Sequence, residues 1–161
     1  MEQVKASGKT KSIGVSNYLR PHLEATLRTA VSPPVINQIE FQPYLQRANQ
    51  YAPWMQENGI EVVALKGLAP LTKGKSGPLD ALLETLARKY NVEPSAILFN
   101  WHNQQNVVAI TTTRNPDRLA QYKKALVFSL TPSETEETTQ IGLSHHFRAT
   151  HQKKFDVNDR T

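Results

Sequence analysis

The chain has 161 residues, 39% of them hydrophobic, with no cysteine and a net charge of +5 at pH 7. That size holds one domain with a real core, and the absence of thiols excludes a disulfide framework and thiolate chemistry, as suits a cytoplasmic protein. No apolar run approaches the roughly 20 residues of a membrane helix, and the positive charge is scattered without an aromatic–basic platform, so neither a membrane nor a nucleic acid is an expected partner.

Met1 to Lys11 is polar and reads as the tail of a helix with Gly8 as its stop. Ser12-Ile13-Gly14-Val15-Ser16-Asn17-Tyr18 is a short apolar run ending in polar residues, the pattern of a buried strand. Pro21 opens a helix with Leu23, Leu27, Ala30 and Val31 at helical spacing, and Pro33-Pro34 ends it. A second strand runs from Val35 to Phe41, closed by Pro43. A helix over about Ala48 to Asn58 follows, with Pro53 in its first turn or kinking it.

Ile60 to Leu65 is the third strand, and a Gly-, Pro- and Lys-rich loop occupies 66–77. The Lys73-Gly74-Lys75-Ser76-Gly77 run in that loop lacks the spacing and context of a phosphate-binding P-loop. Pro78 and Pro94 each stand where a first helical residue would, framing helices over Leu79–Tyr90 and Ser95–Asn103. Val107 to Ile110 is the fourth strand. Asn115-Pro116 and Thr131-Pro132-Ser133-Glu134 each open a helix, the second with capping-box spacing. From His145 on, the chain is polar and basic and reads as a tail lying on another surface; the adjacent His145 and His146 have no companion ligands for a metal. Trp54 and Trp101 sit on helical faces and read as core.

Four strands alternating with helices predict a parallel α/β sheet, either half of an eight-strand barrel or a small open sheet. In such sheets the chemistry gathers just past the carboxyl ends of the strands, which singles out Ser16, Asn17 and Gln38. The bland reading of Ser16 and Asn17 is that they cap the following helix.

Several of these segments resemble the aldo-keto reductases: the 12–18 segment (SIGVSNY), 35–44 (VINQIEFQPY), 59–64 (GIEVVA), 98–101 (LFNW) and 108–119 (VAITTTRNPDRL). The 68–79 loop (LAPLTKGKSGPL) and 141–148 are similar to the fungal branch. The match is collinear with the second half of that family's (β/α)8 TIM barrel: four parallel strands with outer helices, four β/α units over about 12–130, then a C-terminal helix and tail over about 131–161.

The resemblance implies an NADP(H)-dependent reductase of aldehydes and other carbonyls, with NAD(H) possible as cofactor. Such enzymes take hydride from the nicotinamide and a proton from a tyrosine. Their catalytic tetrad (Asp, Tyr, Lys, His) lies on the first four strands, and no counterpart of it is matched here. The rival reading is a non-catalytic module that binds a ligand or a partner. Were the chain to turn over a substrate alone, Tyr18, Tyr44 and Tyr122 would be the proton donors to test.

By the same resemblance, Ser16, Asn17 and Gln38 hydrogen-bond the nicotinamide carboxamide, whose donors and acceptors these side chains can match. Leu65 stands where an aromatic usually stacks on the nicotinamide, and offers packing without π stacking. Lys66 and Leu68 follow in the cofactor loop. Thr112 stands where many members have the lysine that meets the 2′-phosphate; Thr113 adjoins it, and Arg118 keeps the phosphate-facing arginine, with Arg114 able to compensate. Tyr122 occupies the adenine-facing position, usually Asn. Glu40 is an inward charge whose family partners include groups on the first four strands; without them it is expected to be solvated.

Half a barrel exposes its inner layer. About eight inward side chains at roughly 1.5–3 kcal/mol each put about 12–24 kcal/mol of burial at risk, against a domain stability of about 5–15 kcal/mol. Pairing as a homodimer or with a complementing N-terminal half is therefore expected, with a small carbonyl compound as substrate of the completed site.

Overall fold

The computed structural model describes residues 1–161. Its strands are β1 (Val15–Ser16), β2 (Ile36–Glu40), β3 (Glu61–Leu65) and β4 (Val108–Ala109). They form one sheet in sequence order, every neighbouring pair parallel. The helices are α1 (Glu2–Ala6), α2 (Arg20–Thr29), α3 (Tyr51–Glu57), α4 (Asp80–Tyr90), α5 (Pro94–Gln104), α6 (Pro116–Lys123) and α7 (Pro132–Leu143). Parallel neighbours need a crossover, and each crossover here carries a helix. An unbroken sequential order is an arc of a barrel, whereas an open doubly wound sheet reverses its order part-way. The sheet is thus an arc of a (β/α)8 barrel and not a doubly wound open sheet, as the resemblance to the C-terminal half of such a barrel implies.

Side chains alternate across each strand, so the outer face of the arc packs on the helices while the inner face is covered only in part. On the outer face Ile39, Val62 and Ala64 are fully buried with Leu23 of α2, Met55 of α3 and Trp101 of α5, in a core of 19 residues. The register aligns Gln38 of β2 with Val63 of β3 and Val108 of β4 on the inner face. That face is open at its edge: Val108 is 51% exposed and Ile110 39%. Trp101 lies in the core as expected, its Nε1 donating to Thr139 Oγ1 at 3.0 Å. Trp54 is half-buried under the Arg20 guanidinium, 4.8 Å from the ring centre.

The helix starts obey local chemistry. Asn115 Oδ1 accepts from the Asp117 and Arg118 N–H groups, and Pro94 is the first residue of α5. Pro53 falls in the first turn of α3, and Gly8 follows α1 with φ +76°. Pro78 differs from expectation: Leu79 is the N-cap of α4, so the proline stands one residue ahead of the cap. Thr131 and Glu134 form the capping box of α7. Glu134 also accepts from Lys89 Nζ and from the Tyr90 hydroxyl, both at 2.6 Å, tying α7 to the end of α4. Desolvation raises the Glu134 pKa, but these donors and Thr131 outweigh it and hold it at about 2.

The surface on which the tail lies is the chain's own. Gln42 Nε2 donates to Phe147 O at 2.8 Å, and the Ala48 N–H donates to Arg160 O at 2.9 Å. Glu40, expected to be solvated, is 1% exposed. Its carboxylate accepts from the Ala149 N–H at 2.6 Å, the Thr150 N–H at 2.8 Å and the Thr150 hydroxyl. The partner for this inward charge is the main chain of the tail, which satisfies both carboxylate oxygens without a counter-cation.

Candidate cofactor site

At the end of β1 the Ser16 hydroxyl donates to Gln38 O and accepts from Asn17 Nδ2, both at 3.0 Å. The Asn17 N–H also donates to Gln38 O, at 2.9 Å, and Asn17 takes a left-handed backbone with φ 57°. Asparagine tolerates that region better than most residues. These bonds lock the end of β1 to the end of β2 and leave Ser16 and Asn17 exposed. Neither caps the next helix, because Leu19 is the N-cap of α2 and its N–H donates to His22 Nδ1 at 3.1 Å. The capping role weighed for these two residues is therefore excluded.

Behind this corner lies a buried polar brace. Asn37 Nδ2 donates to Tyr18 O and to the Tyr51 hydroxyl, both at 3.0 Å, and the Tyr51 hydroxyl donates to Tyr18 O at 2.6 Å. The 17–19 turn is thus fixed from the outer side by β2 and α3.

A second region lies past β3 and β4. Leu65, Lys66, Leu68, Thr112, Arg118 and Tyr122 all line one open cleft of about 450 Å3, together with Gly67, Thr72, Ile110 and Thr111. Lys66 turns the chain with φ 61°. Gly67 comes so close to the His102 ring that a Cβ there would stand 2.9 Å from its Cε1, so a larger residue would push the loop into the cleft. His102 is fully buried between Leu98 O at 2.6 Å and Phe41 O at 3.1 Å. Burial lowers its pKa, against the opposing pull of the two carbonyls, and the ring props the loop from beneath.

On the opposite wall Tyr122 is held edge-on by Phe99, ring centres 5.0 Å apart. The Asn115 cap sets the first turn of α6, from which Arg118 projects. The cleft offers two cations, hydroxyls from Thr111 and Thr112, and one aromatic ring. Those groups match phosphates and a planar base.

The remaining residues singled out from the sequence lie elsewhere. Thr113 does not line the cleft; its hydroxyl accepts from the Asn115 N–H at 3.1 Å. Ser16, Asn17 and Gln38 sit on the β1–β2 side of the strand ends, and Asn17 borders a separate small cavity beneath the tail. Tyr44 is fully buried with its hydroxyl accepting from the Leu79 N–H at 3.1 Å, which removes it from the candidate proton donors. Sequence reasoning missed Gly67, Thr72 and Thr111 in the cleft, and Arg47 and Arg148 beneath the tail. Gly67 and Thr111 carried a signal, being adjacent to residues already chosen.

The amino-acid sequence over residues 1–142 matches the model of the Aldo/keto reductase family. It is 35% identical over 150 residues to the NADPH-dependent alpha-keto amide reductase of Saccharomyces cerevisiae, covering 90% of this chain and 48% of that protein. It is 34% identical over 149 residues to the NAD/NADP-dependent indole-3-acetaldehyde reductase of Schizosaccharomyces pombe, covering 92% and 52% respectively. Among solved structures, an aldo/keto reductase from Brucella melitensis superposes with a TM-score of 0.77 at 26% identity, over 87% of this chain and 52% of that one. The chain spans about half the length of the curated relatives it matches.

Proposed function

The chain belongs to the aldo/keto reductase family, and from that premise we propose that it supplies the cofactor-binding part of an NAD(P)H-dependent carbonyl reductase. The observation that carries this reading is the convergence of Leu65, Lys66, Leu68, Thr112, Arg118 and Tyr122, from three separate segments, on one cleft at the strand ends. The bound cofactor supplies the hydride. Arg118 and Lys66 bind its phosphates, Tyr122 meets its base, and Leu65 packs against it without π stacking. Ser16, Asn17 and Gln38 orient the carboxamide at the nicotinamide end. With Thr112 in the place of a lysine, less charge meets a 2′-phosphate, so both NADPH and NADH are accepted, NADPH through Arg118.

The names of these relatives point to carbonyl substrates, and a small carbonyl compound is the proposed substrate here. The proton donor is assigned to a tyrosine outside this chain, on strands that complete the barrel. A second reading is a non-catalytic binding module, favoured by Leu65 and Thr112 where family members usually carry an aromatic and a lysine. Titration with NADPH, followed by its fluorescence, tests the first reading, and an added aldehyde separates the two. Saturable binding is expected. No fluorescence change at millimolar cofactor overturns the assignment, and binding without cofactor oxidation even when a complementing half is supplied favours the second.

A further inference from the structure

One wall of the cofactor cleft is built from Lys66, Gly67, Leu68, Ala69 and Thr72. A tight turn closes this stretch: Ala69 O accepts from the Thr72 N–H at 3.0 Å and from the Gly74 N–H at 2.8 Å. Lys73, Lys75 and Ser76 are exposed, whereas Gly74 between them is buried. The tail is what buries it. A Cβ at Gly74 would stand 3.0 Å from Phe147 Cδ1 and 3.3 Å from Ala69 O, so the Phe147 ring lies directly against the loop backbone. Phe147 itself lines no part of the cleft.

Phe147 is in turn fixed to the end of β2 and the segment after it. Gln42 Nε2 donates to its carbonyl at 2.8 Å, and its N–H donates to Tyr44 O at 3.4 Å. Glu40 holds the next turn of the tail through the Ala149 and Thr150 N–H groups. Tyr44 also meets the far end of the loop, where a Cβ at Gly77 would stand 2.3 Å from its hydroxyl oxygen. A continuous packed path therefore runs from the docked tail through Phe147 and Gly74 to Ala69 at the cleft wall. Glycine has no side chain with which to refill the space if the ring leaves, and a void forfeits the contacts that lined it.

We propose that Phe147 is a positioning residue for cofactor binding: with the tail docked, its ring braces Gly74 and holds the 66–74 turn in the shape of the cleft wall, so that tail docking and cofactor binding favour one another. The proposal rests on the reading of this cleft as the cofactor site. Such coupling is reciprocal and typically amounts to about 5–150-fold in affinity.

The test combines NADPH fluorescence titration with amide hydrogen exchange on the whole chain. Phe147→Ala should weaken NADPH at least about fivefold. It should also speed exchange of the Gly74 N–H more than that of the β3 amides, which report on the stability of the sheet. Phe147→Leu, which refills most of the space, should recover most of both losses. In the unaltered chain, saturating NADPH should slow exchange at Ala149 and Thr150 at least about fivefold.

Equal speeding of Gly74 and the β3 amides marks a merely structural role and overturns the proposal. So does a Phe147→Ala chain that binds NADPH as the parent does, a leucine variant no better than the alanine variant, or bound NADPH that leaves Ala149 and Thr150 unchanged. Selective speeding at Gly74 in a chain that never binds NADPH supports the brace and refutes the cofactor reading instead.

Discussion

Replacing Glu40 by alanine tests how the tail is held to the sheet. The substitution removes the acceptor of three donors: the Ala149 N–H, the Thr150 N–H and the Thr150 hydroxyl. Ala149 is itself buried, so in the intact fold its N–H gains no water in exchange. A hydrogen bond to a charged group contributes about 1.5–3 kcal/mol net, and an orphaned buried donor costs about 1–3 kcal/mol. Three such bonds do not simply add, because a released tail re-solvates its donors and caps the loss. We expect a destabilisation of about 3–4 kcal/mol, a large share of the roughly 5–15 kcal/mol typical of a domain.

Urea unfolding reads it directly. With a slope of about 1–3 kcal/mol/M, the midpoint should fall by about 1–4 M. Limited proteolysis should cut first between residues 148 and 155, and Glu40→Gln, which keeps one acceptor oxygen, should fall between the two. A midpoint within about 0.3 M of the parent, with an unchanged cleavage pattern, would refute the idea that this carboxylate anchors the tail.

Three further outcomes are expected. Glu134 has a folded pKa of about 2, below its ordinary value of 4.5, so its contribution is complete above about pH 4.5 and is lost as the pH falls towards 2; discounted for solvent screening it is about 1–2 kcal/mol. Thermal melts of the parent should therefore lose that much more over this range than melts of Glu134→Gln, and parallel acid profiles would count against the clamp. Arg118→Ala should weaken NADPH about tenfold or more and NADH less, in fluorescence titrations; an equal loss for both cofactors would remove the 2′-phosphate from its role. The exposed inner face around Val108 and Ile110 should drive self-association in sedimentation equilibrium. A cooperative, non-associating 18.1 kDa species would contradict that expectation.

Much of the fold is legible in the sequence because its signals are local. The Asn115-Pro116 start and the Thr131/Glu134 box are each complete within four residues, and both caps form as read. Strand order follows from the alternation of strands and helices, once sequential pairing separates the barrel arc from an open sheet. Strand length is less legible: β1 and β4 pair on one side only and shrink to two residues each, although the runs read as strands span 12–18 and 107–110.

Of the candidate site, the residues that share a cleft were readable as short motifs after β3 and β4, whereas Thr113, chosen with them, lies outside it and is spent on a local hydrogen bond. Glu40 was not readable. Its acceptors are satisfied by main-chain N–H groups, which every residue but proline carries and no motif advertises. Arg47 and Arg148 escaped for a related reason, lying in irregular segments where no periodicity indicates which side chain turns inward.

The pairing of Glu40 with Ala149 and Thr150 spans 109 and 110 residues of sequence. During synthesis at about 5–20 residues per second, the carboxylate therefore waits about 5–20 s for donors that have not yet been made. Throughout that interval it stays hydrated on the open side of β2, where its charge disfavours pairing with a second nascent copy through the uncovered inner face. The tail can dock only once residues 149 and 150 have been made, and its docking withdraws this charge from water.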